Sequence, residues 1–180
     1  VLLTREGDVF IPLPERTAFA NKKQADIFIS IHANAAYSSY ARGTETYYLD
    51  KATNKEALEV AMRENDWGLD VAFAEEANSL IEAILQDMVM TYKVDESKDL
   101  TRYIQTSMTK DLKLPDRKVK GAPFLVLRGT LMPAILVEMA FISNPSEEKL
   151  LKTASFRQKV AQSLYQGVKS YFKATKGSWD

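Results

Sequence analysis

Apolar and polar positions change period several times along this 180-residue chain. Residues 26–32, Asp-Ile-Phe-Ile-Ser-Ile-His, form a β-branched apolar run of the kind that strands buried on both faces show, and a parallel sheet is its natural setting. Residues 43–49, with Thr44, Thr46, Tyr47 and Tyr48, predict a second strand that is more amphipathic and so nearer an edge. Ahead of these, residues 15–23 space Ala18, Phe19 and Lys22 as a short helix does. Residues 54–65 put Ala57, Leu58, Ala61 and Met62 on one helical stripe, and residues 79–91 do the same with Leu80, Ile81, Ile84, Leu85 and Met88. Ser79-x-x-Glu82 is a capping box that starts the second of these helices. Between them, residues 66–78 lose the period at Gly68 and the acidic pair Glu75 and Glu76, and read as a loop or mobile arm.

A third helical run from Ser97 carries Leu100, Ile104, Met108 and Leu112. Residues 115–120 read as a polar connection, followed by strands at 124–127 and 134–138 with Arg128-Gly129-Thr130 and Pro133 between them. Asn144-Pro145-Ser146-Glu147 is a helix start, with Asn as cap and Pro in the first turn. In the final helix Phe156, Val160, Ala161, Leu164, Val168 and Phe172 recur at helical spacing, and residues 173–180 form a polar tail. The first four residues, Val1 to Thr4, read as a strand entered in mid-stride. Strands alternating with helices predict an α/β fold: a single-domain sandwich over residues 1–172 with a mainly parallel central sheet flanked by helices.

Composition narrows the function classes. At 46% hydrophobic and 27% charged the chain is a folded globule, and 24 Lys+Arg against 24 Asp+Glu leave no net charge to attract nucleic acid or anionic membrane. The longest apolar stretch, 133–142, is too short for a membrane span and contains Glu138. With no cysteine there is neither a disulfide nor a thiolate metal site. The single histidine, His32, excludes chemistry that needs two imidazoles from these residues alone.

Two predicted strands end in a residue capable of chemistry. The first closes on His32 and runs into Ala33-Asn34; the second closes on Glu138. If both are parallel in one sheet, they share its carboxyl rim, where open α/β sheets gather functional groups. A lone strand-end histidine fits a structural role as well as ligation. A carboxylate that closes an apolar run is costly to bury, so Glu138 is owed a cation, a metal or a proton.

Leu3-Thr4-Arg5, Asp8, Leu13, Arg16, Ala20-Asn21 and the run from Ala25 to Asn34 closely resemble the zinc-dependent N-acetylmuramoyl-L-alanine amidases of bacterial cell walls. The resemblance continues in order through Gly43-Thr44-Glu45-Thr46-Tyr47-Tyr48-Leu49, Arg63-Glu64-Asn65, the stretch from Val119 to Leu127, and Leu136 to Glu148. It implies a Zn²⁺ cofactor with His32 as a ligand, Glu138 as catalytic glutamate, and hydrolysis of the bond between N-acetylmuramic acid and L-alanine in peptidoglycan. Asn34 becomes a candidate substrate contact, whereas Glu45 reads as structural and Arg5 and Arg16 as solvated or internally paired. The family has an N-terminal strand and helix that supply a first zinc histidine, in a Gly-His-Gly context, and a zinc glutamate. Neither is found here, so those ligands are expected upstream of Val1.

Resemblance to the daughter-cell-separation type further implies that residues 66–78 form an inhibitory arm, with Glu75 and Glu76 as regulatory groups and an activator protein as partner. Such a substrate implies a periplasmic or secreted bacterial protein. Two other functions fit part of the pattern. A noncatalytic peptidoglycan-binding or regulatory module would have kept the fold and lost the metal; a metal-free glycosidase would need a second carboxylate near Glu138.

Overall fold

In the computed structural model the described residues are 1–66 and 93–177. The expected helix at 79–91, its capping box, residues 67–78 with Glu75 and Glu76, and the last three residues of the tail lie outside them. Along the chain come α1 (Leu13–Lys22), β1 (Phe28–Asn34), β2 (Thr44–Leu49), α2 (Lys55–Asp66), α3 (Val94–Leu112), β3 (Asp116–Ala122), β4 (Ala134–Phe141), α4 (Pro145–Leu151) and α5 (Ala154–Lys176).

The four strands form one sheet in the order β1-β4-β2-β3. β1 and β4 run parallel, because the Phe28 N–H donates to the Pro133 carbonyl at their starts and the Ile142 N–H to the Asn34 carbonyl at their ends. β2 and β3 are parallel by the same test, with Thr44 donating to Pro115 and Asp50 to Ala122. The sheet is mainly parallel and mixed, so the central β4/β2 pair is the antiparallel one. That is the predicted α/β class.

Among the described residues, β1 and β2 exchange the places that the sequence reading gives them. The apolar β1 is the outer strand of this order, with Ile31 50% exposed, whereas all six residues of β2 are buried. β2 looks amphipathic because Thr44, Glu45 and Thr46 are polar, yet each of these side chains has an internal hydrogen-bond partner. Polar groups satisfied in this way are compatible with a central strand. Two other segments also differ. Residues 115–120, expected as a connection, belong largely to β3, and residues 124–127, expected as a strand, contain the 3₁₀ turn Leu125–Leu127. The first residues, Val1 to Thr4, are not a strand.

Two compact units divide the contacts. In the first, formed by Val1–Ser30, Tyr48–Val94 and Gly121–Ile135, α1 buries Leu13, Thr17 and Ala20 on one stripe. The Asn21 amide then donates to Gly129 and accepts from Leu131, holding the loop before β4. Asn54 caps α2 through the Ala57 N–H. Asn65 donates to the Pro123 carbonyl and accepts the Leu125 N–H, which explains the turn at Leu125–Leu127: its start is committed to a side chain instead of a strand.

The second unit takes Ile31–Tyr47, Asp95–Lys120 and Leu136–Asp180. Here α3 buries Leu100, Ile104, Gln105, Met108 and Leu112, and α5 buries Phe156, Val160, Leu164, Gly167 and Tyr171. α5 runs on to Lys176, past the expected start of the tail, and Gly177 in a left-handed conformation ends it. At Gly167 the two helices touch closely. A Cβ there would lie 2.7 Å from Ile104 Cδ1 and 2.9 Å from Ile104 Cα. The backbone atom cannot step aside as a flexible side chain can, so Gly167→Ala should cost about 1–3 kcal/mol through overpacking. Urea denaturation should show a lower midpoint at unchanged slope; an unchanged midpoint would mean that the helices separate without cost.

Asn144 caps α4 by accepting from Ser146 and Glu147, as its sequence indicates. The Glu147 carboxylate accepts the N–H of Gly43 through Oε1 and that of Phe141 through Oε2, so it ties the start of β2 to the end of β4. Burial pushes this carboxyl above its ordinary value, against the two hydrogen bonds and the nearby Arg42 and Arg117. A carboxyl raised in the folded state contributes stability that is complete below its unfolded pKa and lost as pH rises through the folded one. Unfolding free energies measured across about pH 4 to 7 should therefore show wild type losing ground, as pH rises, to Glu147→Gln, whose amide does not titrate. A difference that stays flat or grows with pH would contradict this.

Candidate active site

β1 and β4 are neighbours and parallel, so their carboxyl ends lie on one rim. His32 lies two residues before the end of β1 and Glu138 three before the end of β4. The topology thus joins the two residues that the sequence singles out. His32 is half-buried and Glu138 is 0% exposed. Each offers a ligand atom within 4.8 Å of the other. An imidazole partly open to solvent beside a buried carboxylate is suited to hold a divalent transition metal such as zinc with a proton acceptor next to it.

The first two residues of β2 support this rim. The Thr44 hydroxyl donates to the main-chain carbonyl of Glu138 itself at 3.0 Å. Glu45, fully buried, accepts from the Asn34 amide at 2.6 Å through Oε1, and through Oε2 from Lys120 at 2.6 Å and Arg117 at 3.1 Å. Arg117 and Lys120 are three positions apart on β3, a spacing that in a regular strand sends side chains to opposite faces. Between them Lys118 has a positive φ of 73°, and its N–H bonds the Asp116 carboxylate. A local kink of this sort re-aims the following side chains and lets both cations reach one carboxylate. The Arg117 guanidinium also lies over the Phe141 ring at 4.9 Å from its centre, and the Lys120 ammonium 5.8 Å from that of Tyr47.

Asn34 was expected as a substrate contact; it is 1% exposed, and its amide has Glu45 as an internal partner. Glu75 and Glu76 lie outside the described residues. Arg5 and Arg16 are tied internally, to the carbonyls of Val9 and Ile11. Burial and the nearby Arg5 lower the Arg16 pKa, and Glu64, half-buried near the end of α2, acts in the opposite direction. Sequence reasoning assigned no role to Thr44, Arg117 or Lys120, since charges and hydroxyls on a strand ordinarily face solvent.

Among the described residues, no helix is long and apolar enough to cross a membrane. A sequence model of the N-acetylmuramoyl-L-alanine amidase family matches residues 1–170. The amidase AmiA of Escherichia coli is 38% identical over 173 residues, covering 94% of this chain and 60% of that protein. AmiC of Neisseria meningitidis is 39% identical over 177 residues, 97% of this chain and 42% of that one. The chain therefore spans about half the length of the curated relatives it matches. Among solved structures, the N-acetylmuramoyl-L-alanine amidase of Clostridium difficile 630 superposes with a TM-score of 0.69 at 29% identity, covering 96% of this chain and 71% of that one. This chain belongs to the N-acetylmuramoyl-L-alanine amidase family.

Proposed function

We propose that the protein is a zinc-dependent hydrolase of the amide bond between N-acetylmuramic acid and L-alanine in peptidoglycan. The observation that carries this reading is the meeting of His32 and Glu138 on one sheet rim in a chain of this family. Zinc held there by His32 and by ligands from the rest of the protein would supply Lewis acidity toward the carbonyl and lower the pKa of water toward about 7. Glu138 does the proton work. Its carboxylate takes a proton from the water whose oxygen attacks the lactyl carbonyl carbon, and returns it to the L-alanine nitrogen as the C–N bond breaks. The products are a free lactyl carboxylate and a peptide with a free amine.

The same reading includes a periplasmic or secreted location, where peptidoglycan lies. It also includes an activator protein acting through residues 66–78, with Glu75 and Glu76 as the groups it displaces; the resemblance of Arg63-Glu64-Asn65 to the daughter-cell-separation type supports this.

Two substitutions test the assignment in the full-length protein. Glu138→Gln should keep the fold and much of the zinc while kcat on muropeptide falls at least about a hundredfold. Turnover close to wild type would remove Glu138 from the mechanism. His32→Ala should weaken zinc binding, measured by chelator competition, at least about tenfold. Unchanged zinc affinity would show that His32 is structural.

A further inference from the structure

We infer that Thr44 and Glu45, at the start of β2, form a clamp that sets the spacing between the strands bearing His32 and Glu138, which makes Glu45 and Asn34 positioning residues of the site. The inference rests on the amidase reading for its activity measurement, while its metal measurement stands apart.

Successive residues of β2 hold both site strands. Thr44 bonds the carbonyl of Glu138, and Glu45 bonds Asn34, two positions after His32 on β1. The Asn34 carbonyl in turn accepts the Ile142 N–H at 2.7 Å, so one residue of β1 is tied to β4 through its backbone and to β2 through its side chain. The bond to Glu45 is short and its acceptor sits between two cations, which makes it one of the stronger kinds of side-chain hydrogen bond.

Fold stability is a poor reason for this cluster. Buried ion pairs contribute little beyond what apolar residues of the same volume would, because the desolvation of each charge offsets their attraction. Their attested use is to fix one arrangement among near alternatives. An arrangement that needs fixing lies within two residues. A zinc-binding histidine and the carboxylate that is to take a proton from water beside that zinc must be held to a fraction of an ångström, and groups that orient metal ligands typically change affinity or activity about 10–100-fold when altered.

The test exchanges donor and acceptor. Asn34→Asp sets two carboxylates against each other, Glu45→Gln removes the charge that Asn34 meets, and the double variant restores one donor and one acceptor in exchanged places. In the full-length protein each single variant should lower zinc affinity, by chelator competition, about 10–100-fold and kcat on muropeptide by a similar factor with little change in KM. The double variant should recover most of both. Singles that lose only thermal stability, or a double variant no better than the worse single, would overturn the inference. If a single variant does not fold, Thr44→Val carries the same test: the side-chain shape is kept, and zinc affinity and kcat should still fall severalfold, with unchanged values counting against the clamp. Should wild type bind zinc yet cleave no muropeptide, the amidase reading falls while zinc affinity still decides the clamp.

Discussion

The carboxylate of Glu45 is costly to bury, and much of its surroundings follow from neutralising it. An ionised carboxylate with no exposed surface needs opposite charge and full hydrogen bonding. Lys120 and Arg117 supply the charge and Asn34 the remaining donor. To bring both cations from one strand, β3 must break its regular alternation, which it does at Lys118 with a positive φ. That kink has its own support: Asp116 accepts from the Lys118 backbone and from Gln105 of α3. Gln105 also donates to the Thr44 carbonyl and accepts the Thr46 hydroxyl, so α3 is keyed to β2 by the same set of polar groups. A chain of requirements thus runs from one buried charge to the seating of a helix.

What could be read from the sequence divides along a physical line. His32 and Glu138 stand out because each ends an apolar run, and a polar group at such a place is costly enough to need a reason. Helices whose apolar residues recur at helical spacing, such as α3 and α5, were legible for the same kind of reason: one period maps onto one buried face. The partners of Glu45 were not legible. Their meeting depends on strand order and on a kink at a lysine, a residue type with no preference for positive φ. Pairing between residues 45 and 120 is a long-range fact with no local signal.

The misread strands follow the same line. An apolar run such as 124–127 fits a strand or a turn equally well by composition, and the decision came from Asn65, about sixty positions away, whose amide takes the local backbone groups. Residues 115–120 read as a connection because their side chains are charged. Those charges face Glu45 and Asp116 while the backbone of Pro115 and Ala122 pairs with β2. Reading polarity as exposure fails wherever polar groups satisfy one another, and here they do so beside the candidate site.

The mixed direction of the sheet gives this placement its consequence. In a fully parallel sheet only carboxyl ends of strands reach the rim where His32 and Glu138 stand, and the start of every strand lies at the other end. Because β2 runs opposite to β4, its first residues meet the later part of β4: Thr44 reaches the carbonyl of Glu138, and Gly43 and Phe141 are joined through Glu147. β3, parallel to β2, brings Arg117 to the same rim from its own beginning. One antiparallel pairing therefore doubles the kinds of backbone position available there. Strand ends carry the groups suited to chemistry, strand starts carry the groups that hold them, and neither set has to compete for the other's positions.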